Sequence, residues 1–239
     1  MAVYPVYNDY LLKFNLKTNP NHEISFLGLG AIDKFRVSSD INDSEIQAYL
    51  KESLPENDQW NYTFGINNKI YSNNSVWSFI ISRSHLYNNA SRNSNISGNE
   101  ETSLNYSSNE ISNRVATEYV YTRRRGSFRV GAELTQRKAD FDVMNITVDG
   151  NGVNNTEYES SIKYLMYGAH LQFGLYLLPK WWDISMGFRI DGSDFSDQLN
   201  NPTKQISPRI SSRIKLSNNL SINGGMGRYY QLPGDVTLG

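Results

Sequence analysis

Apolar and polar side chains alternate along this chain in runs of about ten residues, and the runs come in pairs joined by a short turn. In the clearest run, Phe128, Val130 and Leu134 share one parity, whereas Arg129 and Glu133 share the other. Successive side chains of a β-strand point to opposite faces, so this alternation predicts strands with one apolar and one polar face. About ten strands are predicted. Their approximate ranges are 10–17, 23–37, 59–71, 77–84, 115–122, 128–137, 163–175, 184–191, 209–216 and 220–231.

The connections between the predicted strands alternate in length. Short turns are predicted near 18–22, 72–75, 125–127, 179–182 and 217–219. Longer polar connections, rich in Asn and Ser, are predicted over 38–58, 88–113, 144–159 and 192–205. Within the first of these, Ser44 and Gln47 form a capping-box pattern, which predicts a short helix that ends before Pro55. In bacterial outer-membrane barrels the short turns face the periplasm and the long loops face the outside.

The apolar parity is rich in aromatic residues, and they gather near both ends of the strands. Trp and Tyr concentrate at the two membrane–water interfaces, so this distribution predicts the two aromatic girdles of a transmembrane wall. The predicted strands are also longer than the roughly five or six residues common in soluble sheets. The girdle candidates are Trp77, Tyr119, Tyr121, Trp181 and Trp182 near the short turns, and Trp60, Tyr229 and Tyr230 near the long connections.

Composition narrows the fold without identifying a reaction. A net charge of −1 gives no reason to expect a nucleic-acid partner. The chain contains no cysteine, which excludes disulfides, cysteine-ligated zinc and a thiol nucleophile. No stretch approaches the roughly 18 consecutive apolar residues of a transmembrane helix. A barrel strand needs only every second residue apolar, so the predicted fold is all-β, an antiparallel up-and-down transmembrane β-barrel segment.

The two ends of the chain suggest that it is one part of a larger barrel. The N-terminal segment, from Met1 to Tyr10, lacks the basic and apolar stretches of a secretory signal peptide. The first predicted strand runs toward a short turn and the last runs away from one, which places both ends on the extracellular side. A complete bacterial barrel normally has both ends in the periplasm. We therefore expect residues 1–239 to form part of a single transmembrane β-barrel domain.

Short phrases in the C-terminal third resemble the barrel of TonB-dependent outer-membrane receptors. Ile206-Ser-Pro-Arg209 precedes a strand, and Asn218-Asn-Leu-Ser-Ile222 opens the next, which ends at Gly227-Arg-Tyr-Tyr-Gln-Leu-Pro233. Two earlier stretches, 27–33 and 59–65, resemble Bacteroidetes members of that family. These phrases are strand signatures and not catalytic fingerprints.

The resemblance implies a barrel of about 22 strands that encloses a plug. It implies uptake of a scarce ligand, such as a siderophore, cobalamin, a glycan or a peptide, with energy delivered by TonB. The implied partners are outer-membrane lipid, the plug domain and TonB, and a surface lipoprotein is a further candidate. This sequence shows no plug, no TonB-box segment and too few strands to close the barrel, so the motifs of energy coupling are not in it.

Charged residues on the polar parity are expected to face a wet lumen. An Arg or Lys that faces lipid costs about 2–4 kcal/mol at the bilayer midplane, whereas in water it is tolerated. Two roles stay open for these side chains: hydrogen bonding to a plug or polar substrate, or only keeping the lumen wet and cross-linked. The lumen-lining candidates are Arg129, Glu133, Arg137, His170, Gln172, Arg189, Asp191, Arg209 and Arg213.

No catalytic, metal or cofactor site is predicted, and the chain is not expected to be an enzyme. Asp149-Gly-Asn-Gly152 resembles the start of a calcium loop, but Val153 and Ser160 stand where the EF-hand pattern requires an oxygen-rich ligand and a Glu. The three histidines, at 22, 85 and 170, have no metal-ligand spacing. The alternatives left open are an outer-membrane enzyme or adhesin barrel and a soluble β-sandwich binding module.

Overall fold

The computed structural model of the chain describes residues 3–37, 53–96, 99–149, 152–178 and 181–230. Within these residues the chain forms ten β-strands and one short 3-10 helix, Pro202–Gln205. The strands are β1 (Val3–Asn19), β2 (His22–Val37), β3 (Glu56–Ser72), β4 (Ser75–Ile96), β5 (Asn99–Arg123), β6 (Gly126–Asp149), β7 (Gly152–Leu178), β8 (Trp182–Ser193), β9 (Ile206–Lys215) and β10 (Ser221–Gly227). The helix predicted between Ser44 and Pro55 falls almost entirely outside the described residues.

All ten strands belong to one sheet in which each strand pairs with its neighbour in sequence, from β1 through to β10. Every pairing is antiparallel. Such an up-and-down order follows from the short turns, because a tight turn can join only adjacent antiparallel strands. The predicted all-β, antiparallel, up-and-down organisation is confirmed.

The strands β4 to β7 are much longer than the sequence indicates. The β4–β5 ladder continues to the pair Ile96 and Asn99, and the β6–β7 ladder continues to Asp149 and Gly152. The loops predicted over 88–113 and 144–159 are therefore wrong: most of these residues extend the two hairpins. Most residues in these two stretches are polar, so the apolar alternation that predicts strands elsewhere is weak there although the backbone ladders continue.

The β8–β9 connection is the long loop that the sequence predicts, and it folds back against β7. The amide of Asp194 donates to the carbonyl of Leu165 at 3.1 Å, and the amide of Leu165 donates to Oδ1 of Asp194 at 2.6 Å. The Phe195 ring packs edge-on against Tyr164, with ring centroids 5.6 Å apart. These contacts hold the loop at the point where β8 ends and β7 continues upward.

The sheet has little conventional core. Most of its large apolar side chains lie on one face and are exposed; for example, Ile81 is 63%, Phe188 53% and Leu134 45% exposed. A contiguous apolar face of this extent requires an apolar covering, such as lipid or another protein layer. Among the described residues, no helix is long and apolar enough to cross a membrane.

Candidate functional site

The strand register brings the predicted lumen-lining residues onto one face of the sheet. Arg129 of β6 lies opposite Gln172 of β7, and His170 of β7 lies opposite Arg189 of β8. All nine candidates share this parity, whereas the apolar residues between them point the other way. The sequence therefore predicted which side chains share a face, but it did not show which of them touch.

The centre of the polar face is an ion-pair network around Glu133 on β6. One carboxylate oxygen accepts from Nε of Arg114 at 3.0 Å, and the other accepts from Nη2 of Arg189. Arg189 also binds Asp191, with Nε 2.9 Å from each carboxylate oxygen. The network links β5, β6 and β8. Arg114 was missed in the sequence, although its parity with Glu118 on β5 could have placed it here.

A glycine lets this network cross β7. Gly168 lies opposite Glu133 on one side and Asp191 on the other. A Cβ at this glycine would lie 2.8 Å from Oδ1 of Asp191 and 3.0 Å from Nη2 of Arg189. The missing side chain thus leaves the space through which Arg189 reaches Glu133. Contact across an intervening strand is expected on the concave face of a curved sheet, where side chains converge.

A second cluster on the polar face surrounds Glu118 of β5. Its Oε2 atom lies 3.3 Å from Nε2 of His170 and 3.7 Å from Nε of Arg129. His170 belongs to β7, so its ring must pass over β6 to reach Glu118, and it does so above Gly131. Glycine again provides the crossing point.

The remaining candidates are more loosely connected. Arg137 lies 3.9 Å from Glu110, and the amide of Gln172 donates to Oγ of Ser185 at 2.9 Å. On β9, the guanidinium of Arg209 lies over the Tyr229 ring, 5.1 Å from its centroid. Arg213 lies opposite Asp183 in the β8–β9 register. The charges on β5–β8 are thus paired with one another, whereas on β9 Arg209 contacts an aromatic ring and Arg213 has Asp183 as its cross-strand neighbour.

Three cavities open on this face, and two of them lie beside the charged clusters. One, of about 570 Å³, is lined by side chains that include Glu118, His170 and Arg209. The other, of about 470 Å³, lies beside Arg189 and beneath the β8–β9 loop, which contributes Lys204. Both are of a size that can hold part of a ligand or of another protein segment.

Comparison with known proteins explains why a sheet should have two such different faces. The sequence model of the family described as "TonB dependent receptor-like, beta-barrel" matches residues 5–239. The chain belongs to this family. Barrels of this family are outer-membrane proteins, and the outer membrane is the location of this chain as well. No curated protein sequence matches the chain.

Solved receptor barrels share this fold. A variant of the ferric enterobactin receptor of Pseudomonas aeruginosa aligns with a TM-score of 0.68 at 15% identity, over 97% of this chain and 34% of that one. The siderophore receptor PirA of Acinetobacter baumannii gives 0.70 at 14%, over 97% and 34%. The copper transporter OprC gives 0.71 at 9%, over 98% and 38%. The chain thus spans about a third of the length of these receptors.

Within the receptor barrel, five predicted girdle residues near the short turns lie at the ends of strands or in a turn. Trp77 lies opposite Tyr119 on the apolar face, and its Nε1 donates to Oγ1 of Thr117 at 2.9 Å. Trp182 lies opposite Ile214 and donates to Oγ of Ser212 at 3.0 Å. Tyr121 lies opposite Phe128, also on the apolar face, and Trp181 is half exposed in the turn before β8. At the other end, Trp60 packs beside Tyr87, with ring centroids 5.8 Å apart.

Tyr229 and Tyr230 lie elsewhere. The structure places them on the polar face of the receptor wall, where Tyr229 contacts Arg209 and Tyr230 lines the cavity beside Arg189. The register accounts for Tyr229: Gly227, the last residue of β10, lies opposite Arg209, and Tyr229 follows two positions later on the same side. Tyr230 follows after β10 has ended, where strand alternation no longer sets the direction of its side chain. These two residues differ in position from the outward girdle that the sequence predicted.

The polar face of this receptor wall offers hydrogen-bond donors and acceptors to whatever occupies the lumen. Within the described ranges, no group of three or more His, Asp or Glu could hold a metal ion. The groups present on this face are guanidinium, carboxylate, imidazole and phenol groups, all of which form hydrogen bonds.

Proposed function

We propose that this chain is an arc of the wall of a TonB-dependent transporter that takes up a scarce ligand. The observation that carries the proposal is the two-faced sheet: exposed apolar side chains on one side, and on the other an ion-pair network that joins β5, β6 and β8. A wall between lipid and a wet lumen needs both faces at once. The proposed role is transport and not catalysis.

The arc is proposed to be completed by further strands. In the described residues, β1 pairs only with β2, and β10 pairs only with β9. A transmembrane barrel must close, because an open edge in lipid leaves backbone groups without hydrogen bonds. Transporters of about 22 strands with a plugged lumen supply the model for this closure. Residues 1–239 are thus proposed to lie in one barrel domain, and the plug in another part of the parent protein.

The polar face is proposed to contact the plug or the ligand. The paired charges on β5–β8 are suited to hydrogen bonding with a polar plug surface. The cations of β9, Arg209 and Arg213, favour an anionic group in the lumen. Related receptors are named for ferric enterobactin, siderophores and copper. For this chain we retain siderophore, cobalamin, glycan and peptide as candidate ligands, and the Bacteroidetes-type resemblance as part of the proposal.

Uptake in cells tests this proposal. The parent gene is deleted, and uptake of labelled ferric siderophore, cobalamin, oligosaccharide and peptide is compared with that of cells carrying the gene. We expect one ligand class to be lost on deletion, and lost equally when TonB is absent or the proton gradient is collapsed. Uptake of all four classes that is unchanged by deletion would contradict the proposal.

Variants of the polar face refine the same assay. Replacement of Arg209 and Arg213 by Gln should lower uptake of an anionic ligand, because two cations leave the lumen. A matched control replaces Lys13 and Lys17, which lie on β1, at the far end of the sheet from β9, by Gln. Equal uptake by the two double variants would contradict the assignment of β9 to ligand contact.

A further inference from the structure

The apolar face of the sheet contains a groove that crosses β3 to β7. Its volume is about 380 Å³, and its apolar floor includes Ile81 and Val115 together with Phe64 and Leu134. All four side chains belong to the parity that faces lipid. A hydrocarbon chain fits this floor, because it is lined by aliphatic and aromatic side chains at membrane depth.

The rim of the groove is polar, although it lies on the lipid-facing side. Arg83 shares the parity of Ile81, and its guanidinium donates to Oη of Tyr62 at 3.3 Å and to Oδ1 of Asn113 at 2.9 Å. The amide of Asn113 in turn lies 3.4 Å from Oε1 of Gln136. Among the described residues, Arg83 has only these neutral partners and no carboxylate. Its positive charge is therefore not neutralised by the protein.

The height of Arg83 matches the outer headgroup region. β4 begins at Ser75, next to the short periplasmic turn. A strand tilted by about 40° rises about 2.5 Å per residue along the membrane normal, so Arg83 lies about 20 Å above the start of β4, near the outer edge of an apolar band about 25 Å tall. Arg is costly at the midplane but nearly free at the interface. Lipid headgroups are the anions available at this height on this face.

Aromatic and amide side chains flank the cation. Trp60 and Tyr62 stack with ring centroids 6.1 Å apart, and the His85 ring packs edge-on against Trp60 at 4.7 Å. His85 also bonds to Oδ1 of Asn109. Flat apolar rings beside hydrogen-bonding amides suit a sugar, which presents C–H faces and hydroxyl groups. A cation beside them suits a phosphate.

We propose that this groove binds one molecule of a phosphorylated glycolipid of the outer leaflet. An acyl chain lies along Ile81 and Val115, the phosphate contacts Arg83, and the sugar lies against Asn113 and the aromatic group around Trp60. This site is on the opposite side of the wall from the lumen and does not depend on which ligand the receptor transports.

Native mass spectrometry of the full-length receptor tests this site. The purified protein is titrated separately with monophosphoryl lipid A, phosphatidylglycerol and phosphatidylcholine. We expect retention of lipid A above both glycerophospholipids, and about a tenfold loss of that retention in Arg83→Gln, because a charge-assisted contact to phosphate is removed. Lys13→Gln, which removes a cation from the polar face of β1, is the control and should retain lipid A as the unchanged protein does.

A second variant separates the groove from the charge. Val115→Trp fills the floor and leaves Arg83 in place, so it should also reduce lipid A retention. Heat modifiability of each variant on gels checks that the barrel is folded. Equal retention of lipid A by Arg83→Gln and the unchanged protein would overturn the proposal. Equal retention of phosphatidylglycerol and lipid A would also overturn it. A lipid-free dimer that Val115→Trp dissociates would overturn it too, because a second copy of the protein would then occupy the groove.

Discussion

On the apolar side of β6 and β7, Leu134 and Phe173 are exposed, whereas on the polar side of the same strands Glu133 is held between two guanidinium groups. Both sets of side chains belong to the same two strands, which are paired by one continuous backbone ladder. What differs is the chemistry of the side chains, as expected of a wall with lipid on one side and water on the other. The alternation of side chains along each strand, more than the overall hydropathy of the chain, therefore gives this sheet its two different faces.

An introduced positive charge should show the largest difference between the two faces. Leu171→Arg or Phe188→Arg puts a cation in lipid, at an expected cost of about 2–4 kcal/mol near the midplane. Gln172→Arg and Ser185→Arg put the same charge on the polar face of the same two strands. The amount of heat-modifiable barrel in the outer membrane should fall sharply for the first pair and little for the second. Equal amounts of heat-modifiable barrel for the two pairs of variants would contradict the assignment of the two faces.

A methyl group added at Gly131, over which the His170 ring passes, should destabilise the polar face, with a smaller effect than a charge placed in lipid. In Gly131→Ala the added Cβ would collide with the His170 ring and lie 2.9 Å from the carbonyl oxygen of Thr117. Overpacking of this kind costs about 1–3 kcal/mol. Gly187→Ala is the matched control, because its nearest contact would be 3.7 Å from the carbonyl oxygen of Leu171. Urea unfolding in lipid vesicles should separate the two variants, and identical midpoints would contradict the crossing role of Gly131.

Individual ion pairs on the polar face should have a weaker effect still. A double-mutant cycle with Glu133→Gln and Arg189→Gln should give a coupling of about 0.5–1 kcal/mol, since both side chains are partly exposed to water. The same urea assay measures it. A coupling of several kcal/mol would mean that this face is drier than a water-filled lumen allows.

Beyond residue 137, where the part of β6 predicted from the sequence ends, the two faces exchange character: Lys138 and Asp140 share the parity of Leu134, whereas the buried Ala139 and Phe141 share that of Glu133. The Lys138 ammonium donates to Asp140 at 2.8 Å and lowers the pKa of that carboxyl, and the Ser161 hydroxyl adds a second bond at 2.6 Å. The lowered pKa means that this contact stabilises the hairpin above the ordinary pKa of Asp and is lost as pH falls through the lowered value.

Carboxyl NMR of labelled protein can measure this smallest effect. Lys138→Met should raise the titration midpoint of Asp140 toward the ordinary Asp value. Lys163→Met, which removes the cation opposite Lys138 in the β6–β7 register, should leave the midpoint nearly unchanged. Equal shifts in the two variants would show that general charge, and not the bond to Lys138, lowers the pKa.

The sequence predicted the strands with alternating side chains well, because alternation such as that of Phe128 and Arg129 identifies a strand whose two faces differ in polarity. It did not predict the upper parts of β4 to β7. There, stretches such as 88–113 are polar on both faces, and Asn and Ser carry little strand propensity. The contacts of Glu133 were equally beyond the sequence, since they depend on register between strands and on the gap at Gly168. Tyr229 and Tyr230 were misplaced because aromatic identity at a strand end does not define the face.

The most direct test of the two-faced wall is a spin-label scan along β6 in the full-length receptor. The chain contains no cysteine, so a single introduced thiol at Arg129, Val130, Glu133 or Leu134 is the only one in this segment. Labels at Val130 and Leu134 should collide with oxygen dissolved in lipid, and labels at Arg129 and Glu133 with a water-soluble nickel reagent. A two-residue alternation between the reagents is the predicted result. Access that does not alternate, or that alternates with the opposite parity, would contradict the account.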